Sequence, residues 1–395
     1  MAFGDFTVDR NDKKYVLGSG GTIIEYAEDE PAFEFNADGS YKGLLVEPAA
    51  TNICKQSENI NTTWTDTNAT PTQSTEETPD GDTSNKYIKL IDDGGGGTGQ
   101  VRVNQPITVV AETKYTASVF LKADQLAFAR IDAQDANGVS AYQQFFGLSG
   151  AGSLGTPIGS LQDSSITAYP NGWYRCTITW TQGVGDTEFA FRICVADSIS
   201  NATVDRDGTS SIFVWGAQVE TGPIATSYIP TTTASVTRNA DDITLGSASS
   251  LIGQTEGTLY VEVDWRLATG TYQYLLIASD GTTNNRVLIY NAGGNINMFA
   301  QADGGSAEVS QGIDSTGFSG IQKIAFAYKT DDFELYRNGS SVSSSTSGSL
   351  AALATLTDID IGQSATASFQ ANMWIRAVQI IPRRLSNEQL IELTS

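Results

Sequence analysis

Glu262 and Asp264 sit two residues apart in a run that alternates apolar and polar residues, so a strand would set both carboxylates on one face. Paired carboxylates are what glycoside hydrolysis needs, one as proton donor and the other as base or nucleophile. Arg266 occupies the next outward position, where the series would need a third acid, and none of the 395 residues is a histidine. Ser-His-Asp and Cys-His chemistry are therefore excluded, and the acid series is incomplete. The expectation is a protein that is not an enzyme, with no catalytic residue assigned. A polysaccharide depolymerase is the alternative that the Glu262 pair would serve.

Other residues have types suited to binding. Asp92 and Asp93 precede four glycines, and Asp205 and Asp207 lead into Gly208; carboxylates in such loops can gather around calcium, although neither segment completes a calcium loop. No other cofactor is expected. Trp64, Tyr142, Tyr272 and Tyr274 fall in or beside expected loops and are the candidate glycan-binding residues, since the apolar face of an aromatic ring stacks on a sugar. Trp173, Trp180 and Trp215 lie within strand patterns and read as sandwich core or sheet edge. The Gly94 to Gly99 run lacks the Lys-Ser/Thr of a phosphate loop. Cys54, Cys176 and Cys194 are odd in number and lack metal-ligand spacing, so they read as small core residues.

Charge narrows the partners. With 45 acidic against 23 basic residues the net charge is −22, which repels a nucleic-acid backbone. No apolar run reaches the ~20 residues that span a bilayer, and the first fifteen residues lack a signal-peptide pattern. The expectations are no nucleic acid, no membrane insertion and synthesis in the cytoplasm.

These residues must be positioned by strands. A chain that is 40% hydrophobic and 17% charged, with 39 glycines, has the balance of many short strands joined by tight turns, so the expected fold class is all-β. Tyr115, Ala117, Val119 and Leu121 share one strand face, as do Tyr174, Cys176, Ile178 and Trp180; the same spacing aligns Phe213, Trp215, Ala217 and Val219. From 257 to 267, Leu259, Val261, Val263 and Trp265 face inward, opposite Tyr260, Glu262, Asp264 and Arg266. Asn338-Gly339 signals a tight hairpin, and Ser386 with Gln389 forms the capping box of one short C-terminal helix, with Leu385 and Leu390 as its staple. The expected organisation is a small hairpin-rich arm over 1–52, a jelly-roll sandwich over 53–239 and a second β-sandwich over 240–395.

Three phrases carry a resemblance. Gly43-Leu44-Leu45-Val46-Glu47-Pro48 with Thr51-Asn52, then Gly172-Trp173-Tyr174-Arg175, and then Val214 to Glu220 with Thr226 to Thr231, Val236-Thr237-Arg238 and Ala240-Asp241 closely resemble segments of bacteriophage structural proteins. These are tail-fibre, spike or head-fibre proteins with a carbohydrate-binding-like jelly roll. The C-terminal part, through Phe333 to Gly339, Ile361-Gly362, Trp374 to Pro382 and Leu385-Ser386, is similar to concanavalin A-like modules of the laminin G or pentraxin kind.

The resemblance implies a virion protein assembled in the host cytoplasm, partnered by other virion proteins and by its own copies. A trimer is the expected oligomer, because fibres commonly use three-fold axes. It further implies a surface-exposed fibre or spike that binds host-surface glycans without catalysis, with residues 1–52 as the virion-attachment arm. The alternative is a purely architectural capsid-decoration or tail protein with no sugar site.

Overall fold

The computed structural model describes residues 5–135, 141–266, 272–293, 295–314, 320–364 and 370–395. Among them the regular secondary structure is almost entirely antiparallel strand, in two six-stranded and two seven-stranded sheets with three two-stranded ribbons, and one short α-helix over Asn387–Thr394. The all-β expectation holds.

The two six-stranded sheets face each other as the jelly roll. The front sheet runs Ser153–Leu154, Ala141–Gly147, Phe128–Asp135, Glu188–Ala196, Arg102–Thr108, Thr65–Thr67. The back sheet runs Asp163–Ala168, Trp173–Thr181, Lys114–Ala123, Ser211–Thr221, Lys86–Ile91, Thr72–Ser74. Tyr115, Ala117, Val119 and Leu121 meet Tyr174, Cys176, Ile178 and Trp180 in the buried core, as strand alternation requires.

The Ser211–Thr221 strand departs from its simple pattern. Ile212, Val214, Ala217 and Val219 face the core, whereas Phe213 and Trp215 pack on the outer side of the sheet. Gly216 adopts φ +65° and the register slips opposite Ser118 and Phe120, which is a β-bulge that exchanges the two faces midway along the strand.

The second sandwich is made by both ends of the chain. Thr7–Asp9 pairs with Asp242–Leu245 in one seven-stranded sheet, while Tyr41–Val46 pairs with Met373–Ile381 in the other, with Phe33–Phe35 beyond it. Phe6, Val8, Leu44 and Val46 lie in the same buried cluster as Leu259, Val261, Phe326 and Ile375. The strands Thr7–Asp9, Phe33–Phe35 and Tyr41–Val46 are thus part of this sandwich, where the sequence suggested a separate arm over 1–52, and the jelly roll is inserted between its first and later strands. The physical reason is the apolar run Leu44-Leu45-Val46: Leu44 and Val46 fill the sandwich core and Leu45 packs the other way onto Val16 and Ala32, so a free arm would leave this surface in water. Leu259, Val261 and Val263 face inward as expected, with Trp265 packed beside them; Leu267 lies outside the described residues.

Where the chain crosses between modules, charged groups are buried. Glu47 is fully buried, and it is approached by Lys14 at 3.3 Å, Arg238 at 3.4 Å and Arg266, with the Ser227 backbone N–H donating at 2.9 Å. Asp241 binds Lys14 at 2.6 Å and Arg10 at 3.0 Å, and Arg10 is further held by the carbonyls of Asp12, Ala27 and Glu30. Burial alone would raise the Glu47 carboxyl, but Lys14, Arg238 and Arg266 hold it well below the usual range. A ribbon of Ala50–Asn52 with Val236–Arg238 staples the outgoing and returning segments together. Beside it the Asn52 side chain donates to Ala217 O and Ile229 O and accepts from the Cys54 and Val219 N–H groups.

Replacing Glu47 by Gln strands buried cations, so Glu47→Gln should lower unfolding free energy by about 3–5 kcal/mol in urea melts at pH 7. Because the folded carboxyl is depressed, this stabilisation is present above the unfolded glutamate pKa of about 4.3 and is lost as pH falls below it. The gap between the two proteins should therefore close in acid.

The C-terminal details follow the sequence. Asn338 and Gly339 both have positive φ in a tight hairpin, and Ser386 with Gln389 makes a complete capping box. Leu385 and Leu390 pack on Tyr260 and Tyr336, anchoring the helix to the sheet. Asp360, 4% exposed, is raised to about 6 by burial, with Asp242 and Asp358 adding to it against a hydrogen bond from Thr244. A raised acid favours the folded state only while protonated, so this site costs stability as pH climbs from about 4 toward 7. Asp360→Asn should stabilise the protein by on the order of 2 kcal/mol at pH 7.5, with the gain disappearing by about pH 4 in thermal melts.

Candidate functional site

The outer face of the back sheet is partly covered by the hairpin Lys14–Leu17 and Ile23–Tyr26. Ile23 packs among Phe120, Trp173, Trp215 and Tyr228, and Tyr15 bridges to Tyr228. The uncovered part of the face forms the floor of a cleft of about 360 Å³ whose opposite wall comes from the second sandwich. Volumes of this size suit a small ligand.

The floor is a ladder of hydroxyls set by strand register. Ser165 Oγ meets Thr177 Oγ1 at 2.6 Å and Thr116 Oγ1 meets Thr179 Oγ1 at 2.9 Å, with Asp163 and Thr167 on the same strand face. Arg175 donates to Ser118 Oγ and Thr226 O and lies over the Phe120 ring. The opposite wall carries Trp265 and Trp374, the latter with Lys42 Nζ 3.7 Å from its ring centroid and its Nε1–H donating to Glu34 Oε2 at 2.7 Å. Arg266 links this wall to the buried Glu47 cluster. Planar polar groups, hydroxyls and indole rings together can hydrogen-bond and stack on a polyhydroxylated ring. This cleft was not legible in the sequence, because its floor comes from the middle of the chain and its opposite wall combines residues from both ends.

The residues singled out from sequence lie elsewhere. Trp64 is buried against Phe191, with its Nε1–H directed at Gln56 O. Tyr142 is buried on Trp180 and donates to Thr181 O. Tyr274 is buried edge-on to Tyr290. These three rings pack the protein and present no open face to a sugar. Tyr272 differs, being 53% exposed and stacked on Tyr290 at 5.9 Å. Trp173, Trp180 and Trp215 are all buried.

The acidic loops are occupied by the protein itself. Asp92 is buried and accepts backbone N–H groups from Gly94, Gly208 and Ser210, while Asp93 forms a forked pair with Arg206. Asp205 belongs to a ribbon opposite Thr98, and Asp207 accepts from the N–H and hydroxyl of Thr209. The oxygens of Asp92, Asp93 and Asp207 are spent on turns and an arginine, and among the described residues no cluster of three or more metal-ligating side chains forms.

Glu262 and Asp264 do share the outward face expected for them. Glu262, however, is paired with Arg376 at 2.9 Å, and burial pushes the Asp264 carboxyl up against the opposing pull of Lys42 and Arg376. In the cleft itself Glu34 is held by Trp374 and Lys42. The three cysteines are buried and free, and burial raises each thiol. No helix among the described residues is long and apolar enough to cross a membrane.

No protein-family model and no curated protein matches the chain. Among solved structures it is similar to the CBM40 domain of the Ruminococcus gnavus IT-sialidase, at 16% identity and TM-score 0.34, covering 38% of this chain and 87% of that one. It is also similar to a structure of botulinum neurotoxin type C, a protein whose cell entry depends on two ganglioside molecules. That match is at 12% identity and TM-score 0.33, over 40% of each chain.

Proposed function

We propose that the chain is a non-catalytic, glycan-binding component of a bacteriophage virion, displayed as a fibre or spike, with the cleft between the two sandwiches as its sugar site. The observation that carries the binding role is the cleft, where a ladder of serine and threonine hydroxyls faces Trp265 and Trp374 across a space of about 360 Å³. The virion role is supported by the resemblance of the Gly43–Pro48, Gly172–Arg175 and Val214–Asp241 phrases to phage structural proteins. On this reading the protein assembles in the host cytoplasm and meets other virion proteins. Display as a trimer would multiply weak sites. The second sandwich then takes the place of a concanavalin A-like module. Lack of catalysis is supported by the missing histidine and by the pairing of Glu262 with Arg376 and of Glu34 with Trp374 and Lys42.

One observation favours a purely architectural role. The residues of the phage-like phrases converge on the buried junction: Glu47, Asn52, Arg238 and Asp241 as described, with Gln218 and Glu220 holding the backbone of Thr226 to Ile229. These six residues serve the fold, whereas Arg175 of the same phrases lies in the cleft floor.

A glycan array with the full chain separates the two. Selective retention that falls at least tenfold in Ser165→Arg, which projects a long side chain into the cleft from an exposed strand position, and in Trp374→Ala supports sugar binding there. Ser165→Arg should melt as the parent does, which keeps the test clear of misfolding. Silence of the parent protein on the array and on host cells favours architecture.

A further inference from the structure

The front sheet of the jelly roll carries, on its face away from the core, a group of buried and half-buried arginines that is unusual for so acidic a chain. Register sets Cys194 between Arg102 and Arg130, and sets Arg192, two residues along, between Asn104 and Asp132. With strands about 4.8 Å apart and same-face neighbours about 6.8 Å apart, the three arginine backbones lie within about 10 Å of one another. One carboxylate stands among them. Asp132 is already taken by Arg130 in a forked pair at 2.6 and 2.7 Å.

Arg102 donates to the neutral Gln100 side chain, and Arg192 has no ion pair or side-chain hydrogen bond among the described residues. The Nε atoms of both are buried without a partner. Burial first and then the neighbouring Arg102 push the Arg192 guanidinium down, against a smaller opposing pull from Asp132, which is shared with Arg130. Glu188, on the same face, is four residues away along the strand, about 13 Å. Around the arginines stand Asn104, bonded to the exposed Thr65 hydroxyl, and Gln143 opposite Asp132.

We infer that this face binds a carboxylate-bearing saccharide, with Arg102 and Arg192 gripping the carboxylate while Asn104, Thr65 and Gln143 meet ring hydroxyls. Two guanidiniums side by side match a carboxylate's planar geometry and supply the charge-assisted hydrogen bonds that neutral sugars cannot use. The inference rests on the glycan-binding reading but uses a face other than the cleft, so the two can fail separately.

The test is calorimetric titration of the full chain with matched oligosaccharides, galacturonate against galactose and glucuronate against glucose. The expected result is at least tenfold tighter binding of an acidic member than of its neutral partner, a preference that shrinks as salt is raised. The Arg102→Gln, Arg192→Gln double variant should lose that preference and melt as the parent does, while Ser165→Arg should keep it. Equal binding of acidic and neutral members, or a preference that survives in the double variant, overturns the inference. If neutral sugars bind through the cleft and acidic ones bind no better, this inference alone fails; if no sugar binds, the glycan reading fails with it.

Discussion

Two buried carboxylates, Glu47 and Asp241, hold the place where this chain changes modules, and the rest of the architecture depends on their being neutralised. Ions of this kind lose several kcal/mol of hydration on burial, which only close partners can offset. Here the partners arrive from widely separated segments: Arg10 and Lys14 from the N-terminal strands, Arg238 from the returning segment and Arg266 from the end of the Glu256–Trp265 strand. None of these ions is well placed unless all of those segments are. The cluster therefore ties the insertion points of the jelly roll to the sandwich that contains it.

This constraint has consequences for the candidate site. Arg266 contacts Glu47 in the junction and lies 5.1 Å from the Trp374 ring centroid in the cleft wall. The hairpin that carries Lys14 also covers part of the jelly-roll back sheet. The cleft's two walls are thus fixed by the same contacts that fix the modules, so a ligand there would meet a pre-formed site. Preorganisation of that sort lowers the entropy cost of binding. The arginine-bearing front sheet is independent of the junction, which leaves the molecule two chemically different faces.

The parts of this arrangement that were legible in the sequence are local ones. Alternation assigned the faces of Tyr115 to Leu121, Tyr174 to Trp180 and Leu259 to Val263, and short motifs located the Asn338-Gly339 turn and the Ser386 cap, because each depends on residues a few positions apart. The pairing of Leu44 with Ile375 depends on a partner more than 300 positions away, and nothing in the local pattern of Gly43 to Pro48 specifies it. That phrase was visible as a motif, but its role in a junction was not. The bulge at Gly216 likewise inverted the expected facing of Phe213 and Trp215. Trp64, Tyr142 and Tyr274 are glycan candidates by sequence because they lie in or beside expected loops, yet each ring is folded onto a buried aromatic neighbour. The cleft was beyond reach for the reason that hid the junction, since Glu34 and Lys42 meet Trp374 only after the ends of the chain pair.

The N-terminal strands Thr7–Asp9 and Tyr41–Val46 are part of the C-terminal sandwich and are locked there by the buried charges. Native-state hydrogen exchange on the full chain tests this most directly. The amides of Leu44 to Val46 should be protected to the same free energy as those of Met373 to Ile375, and open with them. Rapid exchange over residues 41–46 while the 373–381 strand stays protected would contradict it.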